Sequence, residues 1–283
     1  MLIKSIILSV VLLAVMGAGI VLGLNSAVTS PNDVLFDNPT WQNVLIGVAV
    51  AGIILGAARG IFKKKPEIKG DVVIRHGMGS FISHWATAIG IFGAMASGII
   101  MGLSLIWFNV GPFAHTPGAM VAPQNVHYFA VAMAIFGGFF FVGDYIFGRN
   151  WTMLIPNLQD VIQGFIGKYM LRRKWEKEGR YLSSQKAAFV PYILIGLVML
   201  ASGAVKVAAH RLDITADVWG WATVIHDWFT VFIILYTIVH VIIVLALGHW
   251  PYFLSWFTGS VSKELIEHHN PIWYEELTGG KKG

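Results

Sequence analysis

The stretch from Thr223 to Leu247, TVIHDWFTVFIILYTIVHVIIVLAL, is apolar enough to cross a membrane and carries two histidines, His226 and His240. They are fourteen positions apart, and at about 100° per residue the second returns to within about 40° of the direction of the first. At about 1.5 Å per residue they lie about 21 Å apart along a helix axis. The pattern therefore predicts two imidazoles on one helix face, at two depths of a bilayer. Ionisable side chains are rare and costly in such a helix, so we expect both to have partners.

The composition is that of an integral membrane protein. Of the 283 residues, 56% are hydrophobic and 12% are charged, whereas soluble domains are about 25% charged. The mean hydropathy is +0.67. Apolar runs long enough to span a bilayer are expected at about 5–24, 43–62, 82–107, 126–147, 188–209 and 222–247.

The basic residues predict the orientation of these spans. Of the 20 lysines and arginines, all but Lys206 and Arg211 fall on one side. Under the positive-inside rule both termini are cytoplasmic, and the outer loops lie at about 25–42, 108–125 and 210–221. The first run could also be a signal peptide, but no clear small-x-small cleavage site follows it. Because its apolar stretch is also long for a signal, we expect a retained anchor.

The chain contains no cysteine. This excludes covalently attached c-type haem, a cysteine-ligated iron–sulfur cluster and a thiolate haem ligand within this subunit. No specific phosphate-binding glycine loop, nucleophile elbow or HExxH stretch is present either. Any iron–sulfur centre is therefore expected in a partner subunit.

Two further histidines lie at depths that match those on the last span. His84 lies near the cytoplasmic start of its run, and His240 lies about seven residues, or about 10 Å, from the cytoplasmic end of its own. His127 opens its run on the outer side, as His226 does. We therefore predict an inner pair, His84 and His240, and an outer pair, His127 and His226.

Two depth-matched histidine pairs are typical of two six-coordinate b-type haems, one in each leaflet. A neutral imidazole donates a nitrogen lone pair to iron, which removes the free-energy cost of an unpartnered polar ring in hydrocarbon. A lone histidine at the end of a span is more often an interfacial residue, so the pairing carries the prediction. Small residues after His84 and His127 would leave room for porphyrin: Gly90, Gly93, Ala94, Gly98, Gly137 and Gly138.

The remaining polar residues have two interpretations each. His76 is expected at the surface or in proton uptake, and Asp144 as an interfacial acid rather than a proton relay. The outer-loop residues could contact haem propionates or be solvated charges: His115, His210, Lys206 and Arg211. His249, His268 and His269 lie in the cytoplasmic tail and are poor ligands for a haem within the bilayer.

An amphipathic helix is predicted at about 157–173, where apolar residues recur at intervals of three and four. Basic residues crowd its end, so we expect it at the inner membrane interface, in contact with anionic lipid. The tail from Phe253 mixes aromatic and acidic residues. It is expected to pack on this segment or on a partner subunit.

Several motifs resemble those of the gamma subunit of respiratory formate dehydrogenases, a di-haem membrane cytochrome b. The resemblance covers about residues 75–277. It includes Ser83-His84-Trp85, Ala96-Ser97-Gly98, Val126-His127, Gly179-Arg180-Tyr181, Gln185-Lys186, Ser202-Gly203, the pair His226 and His240, and HHNPIWY at 268–274. It implies an inner haem held by His84 and His240 and an outer haem held by His127 and His226, in agreement with the depths.

The fold that follows is an all-α integral membrane bundle. A four-helix di-haem core is expected at 76–250, including the amphipathic segment. Residues 1–75 would add two N-terminal transmembrane helices and a basic connection, and 251–283 a cytoplasmic tail. The resemblance also places a quinone, menaquinone or ubiquinone, beside the inner haem at His240, Leu182, Ser184 and Gln185. In the formate enzymes an asparagine and a glycine stand where this chain has Leu182 and Ser184.

The function implied is that of an electron-transfer and quinone-reacting subunit of an oxidoreductase in the bacterial cytoplasmic (inner) membrane. The expected partners are an iron–sulfur beta subunit, a catalytic subunit with molybdenum or tungsten that oxidises the substrate, lipid and quinone, but not nucleic acid. A higher oligomer of the complex is compatible with this. The sequence leaves open which enzyme is the donor, which face it occupies and the direction of electron flow.

The sequence also allows other interpretations. Related cytochromes serve thiosulfate or polysulfide reductases and other molybdenum or iron–sulfur complexes. A cytochrome that reduces extracellular iron or ascorbate-type substrates is a further redox alternative. Outside redox chemistry, the chain could be a proton channel or transporter, or a plain membrane anchor without haem. A plain anchor needs no intramembrane histidines, and a proton relay needs no depth-matched pairs, so neither alternative accounts for the histidine pattern.

Overall fold

The structure is a computed structural model that describes residues 2–30, 32–63, 66–106, 120–149, 153–175, 177–209, 211–246 and 250–280. Within these ranges, six helices are long and apolar enough to cross a membrane. They are α1 (Leu2–Thr29), α2 (Pro39–Phe62), α3 (Met78–Ile106), α4 (Val121–Phe147), α5 (Ser183–Ala208) and α6 (Ala216–Ala246). Each overlaps one predicted run, so the predicted all-α membrane bundle is confirmed.

Shorter helices occupy the connections and the tail. A 3-10 turn (Leu35–Asp37) precedes α2, and a π-helix (Asp160–Met170) lies in the predicted amphipathic segment. Asn157 and Asp160 close the first turn of the π-helix, since each backbone N–H donates to the other side chain, at 2.9 Å and 2.7 Å. The tail forms α7 (Trp250–Thr258), α8 (Lys263–His269) and α9 (Pro271–Thr278).

The tail is joined to the connection before α3 by a small antiparallel sheet. Its strands, in spatial order, are β1 (Ile68–Lys69), β2 (Val72–Ile74) and β3 (Ser260–Ser262), with Val73 opposite Val261. These strands were not predicted from the sequence. Below them lies a buried apolar cluster: Val73, Leu182, Tyr252, Val261, Ile266 and Trp273. The tail therefore packs on the connection before α3 and on the segment just before α5.

Helix α4 is the centre of the first four helices, because α1, α2 and α3 all pack on it. Gly52, Gly56 and Gly60 line the face of α2 that meets the backbone of α4. A Cβ atom on Gly56 would overlap the carbonyl of Phe140. Small residues at a four-residue spacing let two membrane helices approach closely, so these glycines set the α2–α4 contact.

An ion pair closes the end of this contact. Asp144 of α4 is 1% exposed and pairs with Arg59 and, at 3.2 Å, with Lys63. The acid expected at the interface is therefore buried between two helices. Its partners come from α2 and not from Arg149, the nearby residue of its own chain segment.

Helices α5 and α6 form a second unit. They pack on each other, and α6 approaches α3 and α7. Within the described ranges, α4 is not among the helices that α6 packs against closely. The two units thus meet along α3 and α6, while histidine-bearing α4 and α6 stay further apart.

Candidate functional site

The structure brings together both predicted histidine pairs. His84 on α3 lies within electrostatic range of His240 on α6, and His127 on α4 lies within the same range of His226 on α6. The fourteen-residue spacing on one continuous helix therefore places one imidazole in each of two sites. Each site takes its second imidazole from a different helix.

The outer pair is held by serines of neighbouring helices. Nδ1 of His127 lies 3.0 Å from Oγ of Ser97 and 3.1 Å from the carbonyl of Ala94. Nδ1 of His226 lies 3.0 Å from Oγ of Ser202, and the His226 ring also forms a hydrogen bond with the Met199 carbonyl. Both rings therefore use Nδ1 to contact the protein.

The inner pair has different surroundings. Nδ1 of His84 is buried and has no hydrogen-bond partner among the described residues. The indole of Trp256 stacks on the His84 ring at 4.1 Å between centroids. His240 faces the edge of Tyr192 at 5.9 Å, and the Tyr192 hydroxyl lies 3.1 Å from Oγ1 of Thr237. Among the described residues, aromatic side chains thus surround the inner rings, and Nδ1 of His84 has no hydrogen bond.

His76 is not at the surface, contrary to one of the two expectations for it. It is 3% exposed, because Trp256 of α7 stacks on its ring at 3.9 Å. Burial and, next, the positive charges of Arg75 and Arg180 hold the pKa of His76 well below its ordinary value. The imidazole is therefore neutral at physiological pH.

The three remaining residues of the predicted quinone site lie at or just before the first turn of α5. Leu182 is 3% exposed and belongs to the apolar cluster beneath the sheet. Oε1 of Gln185 accepts from the Leu182 N–H at 3.1 Å and from Arg75 at 3.0 Å. The Ser184 hydroxyl is buried and has no partner among the described residues, so it is the free polar group of this set.

Two buried arginines, Arg75 and Arg180, lie beside these residues, and neither was predicted as a site residue. Arg75 is 3% exposed, and its Nε and Nη1 find no acceptor in the described part of the chain, nor does Nε of Arg180. Arg180 donates to the Arg75 carbonyl at 2.5 Å, and the Arg75 guanidinium lies 4.4 Å from the Tyr252 ring centre. Burial lowers the pKa of Arg75 to about 10. Buried cations with unused donors form a site suited to an anion.

The outer cations are arranged differently. Lys206 lies within electrostatic range of both His127 and His226. Arg211 instead donates to the side chain of Asn43, at 3.0 Å, and to the Pro39 carbonyl. The predicted contacts from His115 and His210 and the tail residue His249 lie outside the described residues.

A network of buried carboxylates fixes the π-helix to α5. Glu178 is 1% exposed, and it accepts from Lys168 at 3.2 Å and from the backbone and hydroxyl of Ser183 at 2.7 Å and 2.9 Å. Asp160 pairs with Lys186 at 2.9 Å. Because the π-helix begins at Asp160, this network holds the amphipathic segment against the start of α5.

Comparison with known proteins identifies the family of the chain. The family model described as prokaryotic cytochrome b561 matches residues 75–260. The cytochrome b556(fdo) subunit of formate dehydrogenase from Escherichia coli K12 is 24% identical over 209 residues, which are 73% of this chain and 94% of that subunit. The subunits of the same description from Escherichia coli O6:H1 and O157:H7 match equally. The predicted resemblance is thus confirmed, and the chain belongs to the prokaryotic cytochrome b561 family.

Proposed function

We propose that this chain carries electrons through two bis-histidine b haems, between an iron–sulfur partner subunit and the membrane quinone pool. The observation that supports this is the convergence of four intramembrane histidines into two pairs at two depths. His84 and His240 would hold the inner haem, and His127 and His226 the outer haem. When bound, haem supplies reversible one-electron transfer at its iron.

The residues present fit this cofactor. Neutral imidazole nitrogens suit iron, and the absence of cysteine agrees with a non-covalent b-type haem. Among the described residues α4 and α6, which carry the outer pair, do not pack closely on each other, which agrees with a group held between His127 and His226. The unused donors of Arg75 and Arg180 suit the carboxylates of an inner haem, and Lys206 suits those of an outer haem.

We propose that quinone binds on the α5 side of the inner haem. Gln185 is the seventh residue before Tyr192, which touches His240, so this turn lies about 10 Å along α5 from that histidine. The free Ser184 hydroxyl would donate to a quinone carbonyl. Gln185 is held in place by Arg75, and Leu182 supports the turn from the apolar cluster. Either menaquinone or ubiquinone fits this chemistry.

The proposed partners follow from the relatives, which are named as formate dehydrogenase subunits. We propose an iron–sulfur beta subunit and a molybdenum or tungsten catalytic subunit, in the bacterial inner membrane, with both termini cytoplasmic. If the donor is on the outer face, electrons move inward against the membrane potential, at about 2.3 kcal/mol per charge per 100 mV. A thiosulfate or polysulfide reductase is the second candidate for the partner complex, since the histidine pairs are indifferent to the substrate. In that case the partner would accept electrons that the chain takes from quinol.

The first experiment measures haem in the purified full-length chain. The dithionite-reduced minus oxidised spectrum should show b-type bands with about two haems per chain. His226→Ala should remove about half of the haem, because one site keeps both of its ligands. His268→Ala, a change at an exposed histidine of α8, should remove none. A colourless protein would overturn the proposal and favour the proton-channel alternative, which vesicle proton flux would then test.

The second experiment addresses the quinone site. Ser184→Leu should slow haem reduction by a quinol analogue at least tenfold, while leaving haem content and dithionite reduction unchanged. The matched control is Ser255→Ala, which removes a buried hydroxyl that bonds within its own helix, to the Tyr252 carbonyl. Equal rates in both variants would move the quinone site elsewhere. Co-purification of the tagged chain from its native membrane would identify the donor enzyme.

A further inference from the structure

The outer histidine pair rests on a repeated triplet. Ala96-Ser97-Gly98 lies in α3 and Ala201-Ser202-Gly203 lies in α5, and each serine contacts a histidine of the outer pair. Ser97 and Ser202 are 2% and 6% exposed. Two separate helices thus present the same three residues to two imidazoles.

The two contacts match atom for atom. Oγ of Ser97 donates to the Gly93 carbonyl at 2.7 Å and lies 3.0 Å from Nδ1 of His127. Oγ of Ser202 donates to the Val198 carbonyl at 2.7 Å and lies 3.0 Å from Nδ1 of His226. In both cases the serine hydrogen is directed to the carbonyl four residues earlier, which leaves the oxygen lone pairs for the imidazole.

A second acceptor, the Ala94 carbonyl, lies 3.1 Å from Nδ1 of His127, and the His226 ring also hydrogen-bonds the matching carbonyl, that of Met199. A carbonyl only accepts, so Nδ1 of His127 must carry the proton. The matching serine contact of His226 assigns the same tautomer to that ring. The lone pair is then on Nε2 in both, and Nε2 is the nitrogen available to a metal.

The glycine of the second triplet allows the His226 ring to lie this close. A Cβ on Gly98 would come within 3.8 Å of Cε1 of His127, and one on Gly203 within 3.3 Å of Cε1 of His226. The second distance is tighter than ordinary van der Waals contact. A side chain there would push the His226 ring away from its serine.

The inner pair has no such acceptors in the described part of the chain. Nδ1 of His84 is without a hydrogen-bond partner, and Trp256 covers its ring instead. An acceptor at Nδ1–H raises the basicity of the ligating nitrogen, and a more basic ligand favours ferric over ferrous iron. The outer and inner sites therefore differ in whether Nδ1 has a hydrogen-bond acceptor, which sets the basicity of the ligating nitrogen.

We propose that Ser97 and Ser202 are paired positioning residues, which fix both outer histidines as Nδ1–H tautomers and hold the outer haem at a lower midpoint potential than the inner haem. This rests on the two-haem function proposed above. The potential difference makes electron transfer from the outer to the inner haem favourable, which offsets part of the work done against the membrane potential. The potential step within the chain thereby favours inward transfer between the haems, while the partner and quinone couples set the net flow.

The test is a potentiometric titration of the purified, haem-loaded chain. Two couples are expected, and the lower one should disappear in His226→Ala. Ser97→Ala and Ser202→Ala should each raise that lower couple, with up to about a tenfold change in its ferrous-to-ferric ratio at fixed potential, equivalent to about 59 mV. The upper couple should not move. The low-spin ferric EPR signal of the outer haem should shift in the same variants.

Two controls separate tuning from general disturbance. Ser97→Thr and Ser202→Thr keep the hydroxyl and should restore the potential. Ser83→Ala removes a buried serine hydroxyl that bonds to the Ser80 carbonyl beside the inner site, and should leave the lower couple unmoved.

Three outcomes would contradict the inference. They are a lower couple that survives His226→Ala, serine variants that leave both couples in place, and threonine variants that behave like alanine. If an alanine variant fails to retain haem, the titrations of wild type, His226→Ala and the threonine variants still test whether the lower couple belongs to the outer haem and whether the hydroxyls hold its potential. Absence of haem from the wild-type chain would instead refute the proposed function.

Discussion

The ammonium of Lys63 lies 3.2 Å from the carboxylate of Asp144, and this contact joins the end of α2 to the centre of the bundle. Asp144 is 1% exposed, whereas the side chains of Lys63 and its companion Arg59 are 18% and 24% exposed. Burial lowers the pKa of Lys63, and the charge of Asp144 acts in the opposite direction. The Asp144 carboxylate is therefore cut off from water and needs the two cations as partners, whereas Lys63 and Arg59 are still partly solvated.

Removal of this carboxylate should destabilise the bundle. Asp144→Ala leaves two cations without their buried partner, and we expect a loss of about 3 kcal/mol, the low end for a broken buried pair because both cations reach solvent. Thermal unfolding in detergent would measure it. The matched control is Glu67→Ala, which breaks an exposed pair with Lys69 and should change stability by about 1 kcal/mol or less. Equal effects would mean that burial of the pair is unimportant.

The glycine face of α2 should be intolerant of side chains. Gly56→Leu places atoms into the Phe140 backbone, which cannot yield, so α2 must move away from α4 at a cost of about 3 kcal/mol or more. Gly47→Leu is the control on the same helix, because nothing lies within 4 Å of a Cβ there. Cysteine cross-linking between α2 and α4 would report the separation. An unchanged cross-linking yield in Gly56→Leu would contradict the packing described.

Asn270 should hold the tail in place. Its side chain accepts from the Tyr252 hydroxyl at 2.7 Å and donates to the Gly179 carbonyl at 2.5 Å, and the residue is fully buried. Asn270→Ala removes both hydrogen bonds from a buried site, at a cost of about 1 to 3 kcal/mol. We expect faster proteolysis of the tail, with no such change for Thr278→Ala at an exposed position. If the Asn270→Ala tail resists proteolysis as well as the wild-type tail does, the apolar cluster alone is enough to hold the tail in place.

Stability should fall in acid because of His76. The pKa of this buried ring is lowered from 6.5 in the folded chain. Below about pH 6.5 the imidazole is therefore protonated in the unfolded chain but stays neutral in the folded chain, which favours unfolding. The contribution is intact above pH 6.5 and is lost as pH falls towards the folded pKa, by up to about 1.4 kcal/mol per pH unit. The midpoint of thermal unfolding at pH 7.5 and 5.5 measures it. His76→Gln should flatten this dependence and His268→Gln should not; equal slopes would exclude His76 as the cause.

The sequence was sufficient for the spans and for the histidine pairs. Apolar length follows from bilayer thickness, and periodicity within one helix fixes relative angle and depth, so His226 and His240 could be positioned without a structure. Matching His84 and His127 to them needed only their distance from the ends of their own spans. Both pairs lie together in the structure, while their role as haem ligands remains a prediction.

The tertiary structure decided what depends on neighbours distant in sequence. Asp144 has Arg59 and Lys63 as partners across 85 and 81 positions, and His76 is buried by Trp256 from the tail. Strands of two or three residues carry too short a pattern to be recognised in a sequence. In the sequence, Ser97 and Ser202 cannot be told from other small residues, because their contacts with His127 and His226 form only when the helices pack. Helical periodicity is a local property, whereas burial and hydrogen-bond partners are set by which helices meet.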